Sequence, residues 1–222
     1  MRYKKTTAYQ RVKTQKKRIR IIQGGTAAGK TVAILMHLVN LALHDKTPTL
    51  TSVVSESFPH LKRGAIRDFL AIMEAQEAFQ AERWNKSDYT YPLPSGSKIA
   101  FFSADQPAKV RGPRRHRLFI NEANNVPFET FEQLEVRTSE FIFVDYNPVS
   151  EFWFHEFVEN KRNDYDFLVL TYKDNEALEE SIVKTIEQRK DRQDWGTVFG
   201  LGQLGALQGR IYTNWKIIDE VP

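Results

Sequence analysis

The residues with the clearest chemical purpose are Gly24-Gly25-Thr26-Ala27-Ala28-Gly29-Lys30-Thr31. They satisfy G-x-x-x-x-G-K-[ST], a spacing that lets consecutive backbone N–H groups turn inward and cradle phosphate oxygens. An amine at Lys30 would reach the β- and γ-phosphates of a nucleotide, and a hydroxyl at Thr31 would ligate Mg²⁺. The motif requires a strand before it and a helix after it, whose N-terminal dipole adds to anion binding. Arg18 to Gln23 alternates charged and aliphatic residues as a strand does. Lys30 to His44 is apolar on nearly every side, as in a helix buried between a sheet and other helices.

A second group suits water activation. Leu118-Phe119-Ile120-Asn121-Glu122 is a hydrophobic strand ending in polar side chains. In hydrolases with this phosphate loop, such a strand lies beside the loop and its terminal carboxylate faces the γ-phosphate. Glu122 would then act as general base or orienter of the attacking water. Asn121 stands where an Asp is usual at the metal; its amide oxygen can hold a metal-bound water but brings no negative charge. Taken alone, Glu122 also suits a helix-start acid ahead of Asn124 and Pro127.

The remaining elements must carry these groups. Leu50 to Ser55 reads as a strand, Phe58 to Ala75 as an amphipathic helix, and Asp88 to Tyr91 with Lys98 to Ser103 as a hairpin around Pro-Leu-Pro-Ser-Gly-Ser. Phe141 to Asp145 and Phe167 to Thr171 are further strands, and the text turns helical from Leu178 before glycines interrupt it. Strands alternating with helices imply an α/β fold with a mostly parallel sheet covered on both faces.

Composition narrows the classes. The 222 residues suit one α/β domain with a small appendage, and 41% hydrophobic with 27% charged residues is ordinary for a globular chain. The absence of cysteine excludes disulfides and thiolate zinc sites. No apolar run approaches the ~20 residues of a membrane span, so a soluble protein without a membrane partner is expected. The five histidines have no metal-ligand spacing, Phe152-Trp153-Phe154 with Phe157 reads as core, and Asp164, Asp166, Glu179 and Glu180 as solvated acids. Nine Lys/Arg and no acid occupy residues 1–20, and Lys109, Arg111, Arg114, Arg115 and Arg117 stand together without an acid. The rest of the chain is net acidic. Two basic clusters on an acidic body suit contact with polyphosphates, or else a solvated tail and a basic surface loop.

The ordered set of motifs resembles the ATPase half of phage large terminases over nearly the whole chain. Phe141-Ile-Phe-Val-Asp145-Tyr146-Asn147-Pro148 is similar to their coupling motif, Lys109-Val-Arg111-Gly112-Pro-Arg114 to the basic segment ahead of their acidic strand, and Leu201-Gly-Gln-Leu-Gly205 through Gly209 to Tyr212 to their lid-to-linker segment. The resemblance implies a RecA-like sheet with a small helical lid, and ATP hydrolysis driving double-stranded DNA into a procapsid. It implies a core with a basic tail over 1–174, a lid over 175–210 and, over 211–222, the start of a linker toward an absent nuclease domain. Implied partners are further copies in a homo-oligomeric ring, the portal protein and a small terminase subunit, in the host cell cytoplasm. By the same resemblance Asn147 would sense the γ-phosphate, Arg111 would be a finger supplied in trans with Arg114 and Arg115 as substitutes, and Tyr9 or Gln10 would contact adenine. Asn147-Pro148 also suits a plain turn, and the arginines suit direct contact with DNA phosphates.

Two positions depart from the family pattern. Thr26 stands where many terminases carry an arginine, and Asn121 replaces the acid. Asp145, ending the strand after Glu122, is expected to restore part of that charge through water, or else to cap the turn at Tyr146. Rival readings are a DNA-dependent ATPase of helicase or recombinase type, and a nucleotide-binding module with weak hydrolysis.

Overall fold

The computed structural model describes residues 4–189 and 196–204. In chain order it contains α1 (Thr7–Thr14), β1 (Ile19–Gly24), α2 (Lys30–Leu43), β2 (Leu50–Ser55), α3 (Phe58–Leu61), α4 (Arg67–Ala75), β3 (Thr90–Pro92), β4 (Lys98–Ser103), α5 (Pro107–Val110), β5 (Arg115–Ile120), α6 (Phe128–Glu135), β6 (Thr138–Tyr146), β7 (Tyr165–Leu170) and α7 (Glu180–Arg189). A π-helical turn at Lys62–Ile66 joins α3 to α4. The expected helix from Phe58 to Ala75 is therefore present with one widened turn inside it.

The seven strands form one sheet in the order β3-β4-β2-β5-β6-β1-β7. Every neighbouring pair is parallel except the β3–β4 hairpin. The alternation of side chains sorts the two cores. Ile22, Val53, Phe119 and Phe143 face α1, α2 and α4, whereas Ile21, Val54, Ile120 and Val144 face α6 and the Trp153–Phe154 segment. Trp153 and Phe154 are core residues, as their sequence neighbourhood suggests.

The basic N-terminus is not simply a tail. Ala8, Tyr9 and Val12 are buried on one face of α1, and Thr6 caps it by accepting the Tyr9 N–H. One acid read as solvated pins it down: Asp166 accepts the N–H groups of Lys16 and Lys17 at 2.6 and 2.9 Å; Asp164, also read as solvated, pairs locally with Arg162. Arg117 is likewise not a surface cation. It is buried, bonded to Asp45 and Glu140, each at 2.7 Å. No helix among the described residues is long and apolar enough to cross a membrane. Within the range expected for a lid, 175–210, the described residues hold α7 and the segment 196–204; Gly205, Gly209, Tyr212 and the boundary at 211 lie outside the described residues.

Candidate nucleotide site

Parallel β1, β5, β6 and β7 bring their C-terminal ends to one edge of the sheet, the edge at which α/β folds bind ligands. The loop from Gly24 to Gly29 leaves β1 there and enters α2 at Lys30. Gly29 holds φ at +73°, a conformation that favours glycine, and a Cβ on it would sit a tight 3.2 Å from the Asn175 side chain. Asn175 in turn donates from Nδ2 to Ala27 O at 2.8 Å, joining the segment after β7 to the loop.

Lys30 is almost wholly buried, and its ammonium donates to Gly24 O at 2.8 Å, Gly25 O at 3.2 Å and Asn147 Oδ1 at 2.8 Å. Burial lowers its pKa, while the nearby Asp145 and Glu122 carboxylates oppose that shift. Thr31 Oγ1 donates to Asp145 Oδ2 at 2.9 Å. Asp145 is 1% exposed; it also accepts from Asn121 Nδ2 at 3.0 Å and from the Glu122 N–H at 2.8 Å. Burial raises its pKa despite Lys30 and these donors. A cleft of about 340 Å³ runs along the loop and is bordered by Arg67, Asp68, Glu122 and Asn147.

The second strand ends beside the phosphate loop, with Glu122 bordering the same cleft, although it does not pair with the loop strand β1. β6 intervenes between β5 and β1, so Asp145 and Asn147 reach the loop more directly than Asn121 does. Asn121 also differs in what it presents. Its amide nitrogen, not its oxygen, points at Asp145 and Thr31, an orientation that chemistry demands because an ionised carboxylate only accepts. Glu122 sits in the left-handed region at φ 54°, ψ 53°, a cost that non-glycine residues bear mostly where function holds them. Its Oε2 lies 3.0 Å from His60 Nε2. Burial raises the Glu122 pKa, with His60 opposing and Asp145 reinforcing.

A family model described as phage terminase large subunit matches residues 16–198. The chain belongs to that family. Among solved structures, the large terminase of a thermophilic bacteriophage aligns with 96% of this chain and 55% of its own, at 18% identity and a TM-score of 0.74. Its ADP complex aligns with 89% of this chain and 51% of its own, at 19% identity and a TM-score of 0.70. The large terminase ATPase domain of Thermus phage P74-26 aligns with 89% of this chain and 94% of its own, at 16% identity and a TM-score of 0.62. No curated protein matches the sequence significantly. This terminase chain thus has the RecA-like fold of those ATPase domains, and it spans about half the length of the thermophilic phage enzyme.

Other expected terminase residues divide. Gly24, Gly25, Thr26, Ala27, Ala28, Gly29, Lys30, Thr31, Glu122 and Asn147 come together, with Thr26 exposed at the tip of the loop. Arg111 is exposed beyond α5, where its Nε donates to Gln133 at 3.3 Å, and it does not border the cleft. Arg115 fails as a substitute finger, because it is 2% exposed and packed beside the Phe102 ring. Gln10 is also misplaced. It faces solvent on α1, Tyr9 is in the core, and the pocket next to the loop, of about 240 Å³, is lined instead by Lys4, Thr6, Met36, Asn175 and Leu178 among others. His60 was missed. Its signal was available in one respect: it follows β2, which ends at the same sheet edge as β5.

Proposed function

We propose that this chain hydrolyses ATP to drive double-stranded viral DNA into a procapsid. The observation that carries the chemistry is the convergence of the Lys30 ammonium, the Thr31–Asp145 pair and the Glu122 carboxylate on one cleft. Lys30 would exchange its carbonyl partners for β- and γ-phosphate oxygens. Loop N–H groups and the start of α2 would hold the remaining charge. Glu122 would orient a water for in-line attack and take its proton, and the upward push on its pKa brings it closer to a working base near neutral pH. Asn147, touching the Lys30 ammonium, would register whether a γ-phosphate is present.

Oxygen donors also fit a magnesium ion. Thr31 Oγ1 and a buried Asp145 carboxylate 2.9 Å apart are hard ligands of the kind it takes, directly or through water. Held there, it would supply positive charge to offset that of the nucleotide phosphates. Asn121 would act by holding Asp145 rather than by touching the metal. The pocket between α2, α7 and the residues leading into α1 is apolar enough to receive adenine.

The wider assignment rests on the family. It comprises a homo-oligomeric ring with Arg111 reaching a neighbouring copy, contact with the portal protein and a small terminase subunit, action in the host cytoplasm, and a lid beginning near Asn175. The test is ATP turnover with and without duplex DNA, for the parent and for Lys30→Ala. Turnover stimulated by duplex and abolished in the variant supports the reading, and parental turnover in Lys30→Ala would overturn it.

A further inference from the structure

The helical stretch from α3 through the π-helical turn into α4 has two working edges. Its inner edge meets the nucleotide site: His60 Nε2 lies 3.0 Å from Glu122 Oε2, and a Cβ added at Gly64 would sit 3.9 Å from Asn121 Oδ1. Arg67 and Asp68 border the phosphate cleft. Its outer edge walls a separate groove of about 420 Å³, lined by Lys62, Arg67, Trp84, Lys86 and Tyr89 over a floor that includes Ile66. Arg67 belongs to both.

The groove is basic, and no acid lines it. Lys62 and Lys86 are exposed and form no ion pair among the described residues, while Arg67 is held by Asp68 yet remains 71% exposed. Its walls are stiff. Trp84 packs against Phe69 and Phe101, and the Tyr89 ring lies 4.4 Å from that of Phe58. Asn85 Oδ1 accepts the N–H groups of Ser87 and Asp88, each at 2.9 Å, and so shapes the turn that presents Lys86. Tyr89 itself holds φ at +52°.

We propose that this groove receives the phosphodiester backbone of duplex DNA, and that the stretch 58–70 carries its occupancy to Glu122 through His60. This rests on the DNA-translocation reading and names the surface and the link. Cations on an open rim, with no buried polar group aimed inward, suit a repeating backbone rather than an enclosed small anion. A rigid aromatic wall limits how far DNA can press before the helix itself shifts. Lys62 and Arg67 stand about half a turn and about two turns from His60, so a shift at either reaches it, and a π-helical turn is a place where a helix yields. His60 is thus a positioning residue, holding or releasing the carboxylate that must face the water.

The test reads binding and response separately. Anisotropy of a labelled duplex should show Lys62→Ala/Lys86→Ala binding about tenfold more weakly, with the log–log salt slope reduced by about 2, one unit per lost contact. Lys46→Ala/Lys161→Ala removes equal charge elsewhere and should stay near the parent. Equal losses in both double variants, no loss in either, or a loss confined to single-stranded DNA would overturn the groove. His60→Ala should keep duplex affinity but lose duplex stimulation of kcat, with KM for ATP little changed and partial recovery in His60→Gln. Full stimulation in His60→Ala would overturn the link. A parent that hydrolyses ATP yet binds no duplex would instead overturn the translocation reading on which the groove depends.

Discussion

The amide nitrogen of Asn121 lies 3.0 Å from Asp145 Oδ1, across the boundary between two parallel strands. The carboxylate is on β6, which neighbours the loop strand β1, and the amide holds it from the residue that follows β5. Asp145 thereby keeps hydrogen bonds from Thr31, Asn121 and the Glu122 backbone together, which is what a deeply buried carboxylate needs.

On the proposed reading, Asp145 is the charge that serves the metal. Asp145→Asn should raise the Mg²⁺ concentration needed for tight binding of a fluorescent ATP analogue by about tenfold or more, equivalent to ~1.4 kcal/mol. Adding Asn121→Asp should recover much of the loss by returning a carboxylate to the same spot. An unchanged Mg²⁺ requirement in the single variant would remove Asp145 from the metal's surroundings.

Glu122→Gln preserves shape and removes the proposed base. Nucleotide should still bind, while kcat falls by about 10²–10⁴. Equilibrium binding alongside single-turnover hydrolysis separates the two effects. Lost binding with an unaltered rate per bound nucleotide would make Glu122 structural.

Arg111 is exposed and outside its own cleft, as a group serving another copy must be. Arg111→Ala should lower turnover by about 10³ or more if it acts as a finger. Mixing it with inactive Lys30→Ala chains should restore activity, since some interfaces then join an intact loop to an intact finger. Specific activity of the parent should rise with protein concentration. Independence from concentration together with no rescue would refute action in trans.

His37 supplies a pH test of the core. It is buried, edge-on to Phe143, and burial together with Arg20, Lys13, Arg117 and Lys16 pushes its pKa down to about 4. The unfolded chain holds its histidine proton up to about pH 6.5, so between these values the unfolded state binds more protons. Stability from this group is complete above that upper value and is lost as pH falls toward the lower one, by at most ~1.4 kcal/mol per pH unit. Thermal unfolding of His37→Phe should show a shallower acid slope over this window. Identical slopes would mean that His37 contributes nothing there.

The phosphate loop and its flanking elements were legible because the motif, the strand and the helix are contiguous. Local patterning also gave the hairpin and the alternating architecture. What escaped reading depends on distant partners. Arg117 looked like surface charge because Asp45, which neutralises it, lies far back in the chain. In α1, the few buried residues Ala8, Tyr9 and Val12 were masked by the charges between them. His60 carried no motif, and only the strand order brings it to Glu122. The orientation of the Asn121 amide was settled by Asp145, a residue on another strand.

Gln23 Nε2 donates to Gly202 O at 2.6 Å, and a Cβ on Gly202 would come within 3.0 Å of Gly24 Cα and Gly25 N. The backbone beyond α7 is therefore seated against the root of the phosphate cradle. Tension applied to the chain downstream of Gly202 would reach that cradle at the end of β1, through the Gln23 hydrogen bond and the close approach to Gly24 and Gly25. If the proposed translocation holds, opposing load should act first on the grip on nucleotide, and saturating ATP should offset part of the slowing.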